Sequence, residues 1–266
     1  KVVWSVGLDI TKDSLVHRFL TPRLVDRVVV PSESLKNQIT RLGYIAPESV
    51  EVVPIGITDW SCDQIRSNAR RKLHEKYHLP SNSRVAITVG RLVNQKGHRY
   101  LVDAVPEILR QHPDICFVFA GDGPLEEELE SRAKKLQVEE HIVFAGMLDN
   151  LDLLWAGADL MIHPSVEEPF GIAVLEGMRA GLPIIASRVG GIPEVTGEAE
   201  GAILVPSKNS DELTTAVCNL LTSNERMSEL GAKGRQRFEE SFTADKMCDR
   251  LETLFEDVVS GEAVDG

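Results

Sequence analysis

The sequence predicts an α/β fold in which helices cover both faces of a doubly wound parallel sheet. Three observations carry this. Short apolar, β-branched runs alternate with longer amphipathic stretches along most of the 266 residues, the pattern of strand and crossover helix. Several of these runs end in glycine-bearing turns that lead into helical segments, as at Gly90, Gly121 and Gly190. The length is enough to bury at least one substantial core.

Taken in order, strands are expected at Val2–Val6, Arg27–Val30, Val50–Val53, Arg84–Val89, Ile115–Ala120, Ile142–Phe144, Asp159–His163, Pro183–Ala186 and Ala202–Val205. Helical periodicity is expected at Ser34–Leu42, Arg66–Tyr77, His98–Gln111, Leu125–Leu136, Gly171–Ala180, Ser210–Leu221 and Ala244–Val258. Ser32 and Ser210 are the expected N-caps, since a short hydroxyl side chain can accept an orphan helix amide. A boundary is expected near Val53-Pro-Ile-Gly56. The two or three strands before it are too few to close a domain, whereas about six follow it. The organisation expected is therefore the end of one domain (1–53), a complete second domain (54–242), a helix returning to the first (243–258) and a frayed acidic tail (259–266).

A net charge of -12 argues against nucleic acid as a partner, which needs clustered Lys and Arg. The one basic cluster, Arg66 to Lys76, contains Glu75 and reads as a solvated helix face. Cys62, Cys116, Cys218 and Cys248 are scattered without a C-x-x-C pair. That favours free thiols in a reducing, cytoplasmic compartment over a zinc site or disulfide framework. No apolar stretch approaches the ~20 residues that span a bilayer. The chain opens without Met, inside a strand-like run, and is read as a fragment.

Two glutamates, Glu168 and Glu176, stand out. The first follows the run Ala158-Asp-Leu-Met-Ile-His-Pro-Ser165, in a loop at a strand's C-terminal end; the second lies on the next helix. Eight helical residues rise about 12 Å, so the pair suits the two ends of one elongated ligand and not a shared proton. Backbone amides near Phe170 and Gly171 would form a helix N-terminus that favours an anion such as a diphosphate. Solvated surface charges are the plain alternative. Arg91 and Lys96 follow the strand ending at Val89-Gly90. Ligands bind outside C-terminal strand ends in open sheets, so these cations could neutralise a diphosphate; two surface cations on a loop would read the same. Gly121-Asp-Gly-Pro124 and Gly190-Gly-Ile-Pro-Glu194 follow strands at the same end. The first is explained as well by a tight turn, whereas the second offers close approach to a ligand. His163, beside Pro164 in a strand run, reads as a packed histidine. No D-x-D is present, so nothing points to a metal clamp.

In order and together, Val89-Gly-Arg91…Gln-Lys96-Gly97, Ala120-Gly-Asp-Gly-Pro124, Ala158–Ser165, Glu168-Pro-Phe-Gly171…Leu-Glu176 and Gly190-Gly-Ile-Pro-Glu194 resemble the C-terminal domain of retaining GT-B glycosyltransferases of the group 1, or family 4, type. Asp26-Arg-Val-Val-Val-Pro-Ser32 and Val50-Glu-Val-Val-Pro-Ile-Gly56 resemble that family's passage from N-terminal domain to hinge. The resemblance implies two Rossmann-like domains, of which only the tail of the first is present. It implies that Arg91 and Lys96 bind the donor diphosphate, with Glu168 on the donor sugar and Glu176 on the ribose. Amides at Gly171, Ile172 and Ala173 would meet the phosphates, and Gly90 and Gly191 would line the donor. Sugar transfer from a UDP-, GDP- or ADP-sugar would proceed with retention, through a front-face process, without a metal or other cofactor. Arg91, Lys96 and Glu168 are the candidate catalytic residues. A carbohydrate, lipid-linked or small-molecule acceptor would bind mostly on the N-terminal domain, which could also touch the inner face of a membrane. The sequence departs from the family at Gly7, where a histidine is usual and none occurs until His17. Two alternatives stay open: a non-catalytic nucleotide-sugar-binding module, and a sugar-nucleotide epimerase or hydrolase on the same fold.

Overall fold

The computed structural model describes residues 1–6, 23–43, 45–60 and 63–260, the side chains of 63–67 excepted. Gly7, His17, Cys62 and the last six residues of the expected tail lie outside the described residues, and so does the side chain of Arg66.

The strands form two parallel sheets. The smaller joins β1 (Val3–Ser5), β2 (Arg27–Val30) and β3 (Val50–Val52) in that order. The larger holds β4 (Arg84–Val89), β5 (Ile115–Ala120), β6 (Ile142–Gly146), β7 (Leu160–His163), β8 (Ile184–Ser187) and β9 (Ile203–Val205) in the order β6-β5-β4-β7-β8-β9. The chain works outward from β4 in one direction and then, from β7, in the other. The neighbours β4 and β7 therefore flank the topological switch point, where open sheets of this kind leave a crevice.

Strand periodicity sorts the core into two faces. Ala86, Phe117 and Phe119 point to one side, against α3 (His98–Gln111), α4 (Glu126–Lys135) and α8 (Ser210–Leu221). Val85, Ile87, Val89 and Val118 point to the other. There they meet α2 (Asp63–Lys76), α5 (Asp152–Gly157), α6 (Ile172–Arg179), α7 (Ile192–Thr196) and α9 (Asn224–Ser241). The small sheet buries Leu35 and Ile39 of α1 (Glu33–Thr40) on one side. On its other side Val29 and Val53 pack against Leu254 and Val258 of α10 (Ala244–Ser260). The segments crossing between the sheets are tied together: the Ile57 amide donates to Phe242 O at 3.0 Å and the Ala244 amide to Ile57 O at 3.0 Å.

Some details differ from the sequence reading. Helices α5, α7 and α9 were not expected. The cap of α8 is Asn209, whose side chain accepts from the Glu212 amide at 3.0 Å, and Ser210 is already helical. Ser32 does cap α1, accepting from the Leu35 amide at 3.1 Å. The basic face of α2 is only partly solvated: Arg71 pairs with Glu75 in the open, but Arg70 binds Asp159 and the Ser83 carbonyl, pinning the helix to β4 and β7. Cys116 and Cys218 are buried free thiols and Cys248 is exposed. Among the described residues no helix is long and apolar enough to cross a membrane.

Candidate functional site

Three loops leave the C-terminal ends of β4, β5 and β7 and pack on one another. The Gly121 and Gly123 loop lies so close to the β4 loop that a Cβ on either would sit 2.1 Å from Gly90 O or 2.5 Å from Leu92 O. The β4 loop makes a short helical turn, Asn94–Lys96, ended by Gly97 at φ +66. Gln95 O then accepts the amides of Val166 and Glu167 at 2.7 and 3.2 Å, stitching this loop to the one after β7. The strand order, rather than nearness in sequence, thus brings Lys96 and Glu168 together at the switch point.

The contact between them is direct. Lys96 Nζ lies 2.5 Å from Glu168 Oε2, with the lysine side chain 26% and the glutamate 9% exposed. Behind the pair stand His163 and Ser165, both buried. His163 Nε2 is 3.0 Å from Glu168 Oε2, and Ser165 Oγ is 2.9 Å from His163 Nε2. A carboxylate only accepts, so His163 Nε2 is the protonated nitrogen. Burial pushes the Glu168 carboxyl up. The His163 hydrogen bond, with charge on His163 and Lys96, outweighs that and holds it at about 2. Glu168 is therefore a fixed anion. Its Oε1 has no hydrogen-bond partner among the described residues, so one oxygen is free to accept from a ligand.

His163 is packed, as the sequence suggested, and it also orients Glu168. Sequence reasoning missed that task, and missed Ser165. The signal that could have found them was their position at the end of the strand that delivers Glu168. Beneath Lys96, His98 opens α3 fully buried, 5.6 Å from the Phe119 ring, with Nδ1 unpartnered. Burial, helped by His163 and Lys96, pushes its pKa down to about 3, so it is neutral.

On the other side of Glu168, Gly171 stands at φ +110 as the N-cap of α6, and no side chain caps the helix. The first amides of α6, at Ile172 and Ala173, are open to an acceptor, and Ile172 is 47% exposed. Phe170 anchors the start of the helix by packing edge-on against Phe242 at 6.2 Å. Glu176 lies farther along α6, half-buried; burial raises its pKa while Arg179 opposes the shift. It makes no side-chain hydrogen bond among the described residues. Arg91 is exposed on the β4 loop, and its side chain makes no hydrogen bond or ion pair there either.

Gly90 stands at φ +151, which strains an L side chain, and a Cβ there would be in ordinary contact with the Lys96 stem, 3.5 Å from Cδ. Gly190 and Gly191 are absorbed by packing. Their missing side chains leave room for Glu168 O, which a Gly190 Cβ would meet at 1.8 Å, and for Pro169 O, which a Gly191 Cβ would meet at 2.7 Å. The Gly191 amide donates to Glu168 O at 3.0 Å. The glycine pair supports the Glu168 loop from below. Among the described residues no three His, Cys, Asp or Glu side chains group in a way that would hold a metal ion.

Residues 69–237 match the family described as Glycosyl transferases group 1. An uncharacterized glycosyltransferase of Methanocaldococcus jannaschii is 34% identical over 203 residues, covering 74% of this chain and 51% of that protein. A GDP-mannose-dependent alpha-(1-6)-phosphatidylinositol monomannoside mannosyltransferase of Mycolicibacterium smegmatis is 34% identical over 177 residues, covering 63% of this chain and 46% of that one. The chain thus spans about half the length of these curated relatives. The crystal structure of Anabaena HepE in complex with UDP and glucose superposes with a TM-score of 0.83 at 20% identity, over 96% of this chain and 71% of that one. The two parallel sheets are those of a GT-B-like fold, and the chain belongs to the group 1 glycosyltransferases.

Proposed function

We propose that the chain is the donor-binding part of a glycosyltransferase that moves a hexosyl group from a nucleotide-diphosphate sugar with retention and without a metal. One observation carries the reading: Lys96 and Glu168, paired at the switch point, adjoin the uncapped N-terminus of α6. An ammonium, a carboxylate with one free oxygen and a row of open amides are what a sugar diphosphate needs in sequence. Lysine has three N–H donors, so Lys96 can keep Glu168 Oε2 while donating to a phosphate oxygen. Glu168 Oε1 then accepts a sugar hydroxyl, the α6 amides take the second phosphate, and Glu176 takes the ribose.

Charge on the departing phosphate grows as the glycosidic bond breaks, so cations at that phosphate stabilise the transition state more than the ground state. Lys96 and Arg91, which has no side-chain partner among the described residues, fill that role. Glu168, held ionised, steers the sugar and stabilises developing positive charge; it carries no proton to give. Retention is supported by the E-x7-E pattern of Glu168 and Glu176, and metal independence by the two cations together with the absence of D-x-D. HepE is crystallised with UDP and the mycobacterial relative uses GDP-mannose, which makes uridine and guanosine diphosphate sugars the first donors to try.

A thermal-shift panel of UDP-, GDP- and ADP-sugars tests the reading. One class should raise Tm, with and without EDTA. No shift from any donor would sink the donor assignment, and a shift that EDTA abolishes and a divalent ion restores would sink metal independence. With a longer chain that turns over, the anomeric proton coupling of the product decides retention.

A further inference from the structure

We propose that Ser32 and Glu194 form a clasp between the two sheets and act as positioning residues for the Glu168 loop. Both lie in motifs that the donor site leaves unexplained: the Val-Pro-Ser32 end of β2 and the Gly-Gly-Ile-Pro-Glu194 segment after β8. They meet across the molecule. A helix leaves its first amides without intrahelical partners, and in α1 those of Glu33, Ser34 and Leu35 are satisfied in a specific way. The Leu35 amide goes to Ser32 Oγ at 3.1 Å. The amides of Glu33 and Ser34 go to the two oxygens of Glu194, at 2.7 and 2.8 Å, from 161 and 160 residues away. A carboxylate is favoured at this end of the helix dipole, and here it is supplied by the other sheet.

The Ser32 hydroxyl, while accepting from Leu35, donates to Pro169 O at 2.8 Å, and Ser32 is fully buried there. Two successive carbonyls of the Glu168 loop are therefore held from different directions. Glu168 O is held by the Gly191 amide from within the large sheet's own unit, and Pro169 O by Ser32 from the small one. Glu194 is itself fixed, because Arg237 donates to its carbonyl and to that of Val195, both at 2.8 Å. The path of the loop, and with it the aim of Glu168 and the start of α6, depends on the small sheet being docked. The clasp holds whatever ligand the crevice takes and rests on the donor reading only for the chemical task of Glu168.

Amide hydrogen exchange resolved by NMR tests this on the chain as it stands. Ser32→Ala should accelerate exchange at Val166 and Glu167, whose amides tie the loop to Gln95, by about tenfold or more, the scale of a local opening. Amides of β4 and β5 should not change. Glu194→Gln, which keeps one acceptor oxygen and turns the other into a donor, should release one of the Glu33 and Ser34 amides and accelerate the same loop amides, while Ser32→Thr, which keeps the hydroxyl, should retain protection. Acceleration confined to residues 33–36 would make the contact a local helix cap and overturn the proposal, as would Ser32→Thr behaving like Ser32→Ala. Should Ser32→Ala unfold the small sheet, Glu194→Gln decides alone: loop amides unchanged in that variant would overturn the clasp. Donor binding is measured separately on the unmodified chain. A coupled loop with no donor binding would sink the donor reading and leave the clasp standing.

Discussion

Glu168 and Glu176 are the same residue type eight positions apart, yet the fold gives them opposite electrostatics. Glu168 is the more enclosed of the two and remains strongly acidic, because His163 and Lys96 hold its Oε2. Glu176 is less enclosed and is pushed toward its neutral form by burial, which the Arg179 charge only partly opposes, and its side chain has no hydrogen bond among the described residues. Burial raises both. Partners decide which effect wins. An E-x7-E spacing therefore says where two carboxylates stand, and only the loops brought in by strand order say what each can do. Glu168 is held as an anion in the ligand-free chain, whereas Glu176 is left without a side-chain hydrogen bond among the described residues, as the proposed ribose contact requires.

The strongest way to break this contrast is Lys96→Ala. It strands a nearly buried carboxylate, a change that costs about 3–5 kcal/mol for buried pairs, and it removes a cation from the proposed phosphate site. Donor affinity by calorimetry should fall ~100-fold, consistent with roughly 1.5–3 kcal/mol for a charge-assisted hydrogen bond. Arg71→Ala, which removes an exposed i,i+4 pair with Glu75, should change neither affinity nor stability measurably. Equal effects of the two substitutions would sink the assignment of Lys96.

Next in size is the acid dependence of Glu168. Its folded pKa, about 2 against an ordinary value of 4.5, means that the folded state holds the proton more weakly than the unfolded chain. The stability it contributes is full above the ordinary value and is lost as pH falls toward 2. At 1.36 kcal/mol per unit this is on the order of 3 kcal/mol. Urea titrations between pH 5 and pH 2 should show Glu168→Gln with a flatter profile than the parent chain. Parallel profiles would mean that Glu168 is not held ionised by its neighbours.

Gly190→Ala acts on the same carboxylate through the backbone. A Cβ there would meet Glu168 O at 1.8 Å, at φ +52, whereas one at Gly43 (φ +76) would meet nothing within 4 Å. Gly190→Ala should therefore cost about 1–3 kcal/mol, as overpacking does, and should weaken donor binding by displacing the loop. Gly43→Ala should cost only the backbone strain, about 1 kcal/mol, with binding intact. Equal losses of affinity would remove Gly190 from the support of the site.

The sequence reading reached the large sheet and its motifs because fully buried parallel strands are continuous apolar runs, such as Ile115–Ala120. It could not reach α9. Of the residues this helix buries, two are glycines, Gly231 and Gly234, with only Met227 and Phe238 apolar. Gly231 packs so close to Gly181 O that a Cβ would lie 2.3 Å away. Residues that usually interrupt a helix are here what lets it approach, so both composition and periodicity argue the wrong way. The cap of α8 was misplaced by one residue because Asn209 and Ser210 are both good caps and only backbone geometry separates them: Asn209 is extended, at φ -128 and ψ 97. At the site, Glu168 and Lys96 are 72 residues apart. Their pairing follows from β4 and β7 being neighbours, which no local pattern reveals. The Gly190–Gly191 pair, legible as a place of close approach, turned out to face the chain's own backbone.

The smallest expected effect is also the one that separates the two glutamates most cleanly. A carboxyl whose folded pKa is raised binds its proton more tightly when folded. Ionised Glu176 therefore opposes folding, and stability falls as pH rises from the ordinary carboxyl range through the raised value. Glu176→Gln keeps the shape, removes the charge and should stabilise the ligand-free chain at neutral pH, where Glu168→Gln should destabilise it. The gain should be under about 2 °C in Tm, since the side chain is only half-buried and a kcal/mol moves a domain of this size by ~2–4 °C. In the presence of a donor the order should reverse, because glutamine gives a ribose hydroxyl a weaker acceptor than a carboxylate does. A Glu176→Gln variant that is destabilised without ligand would show that Glu176 already has a partner in the folded chain. One that binds donor as tightly as the parent would remove the ribose from its account and leave Glu168, Lys96, Arg91 and the α6 amides as the proposed donor site.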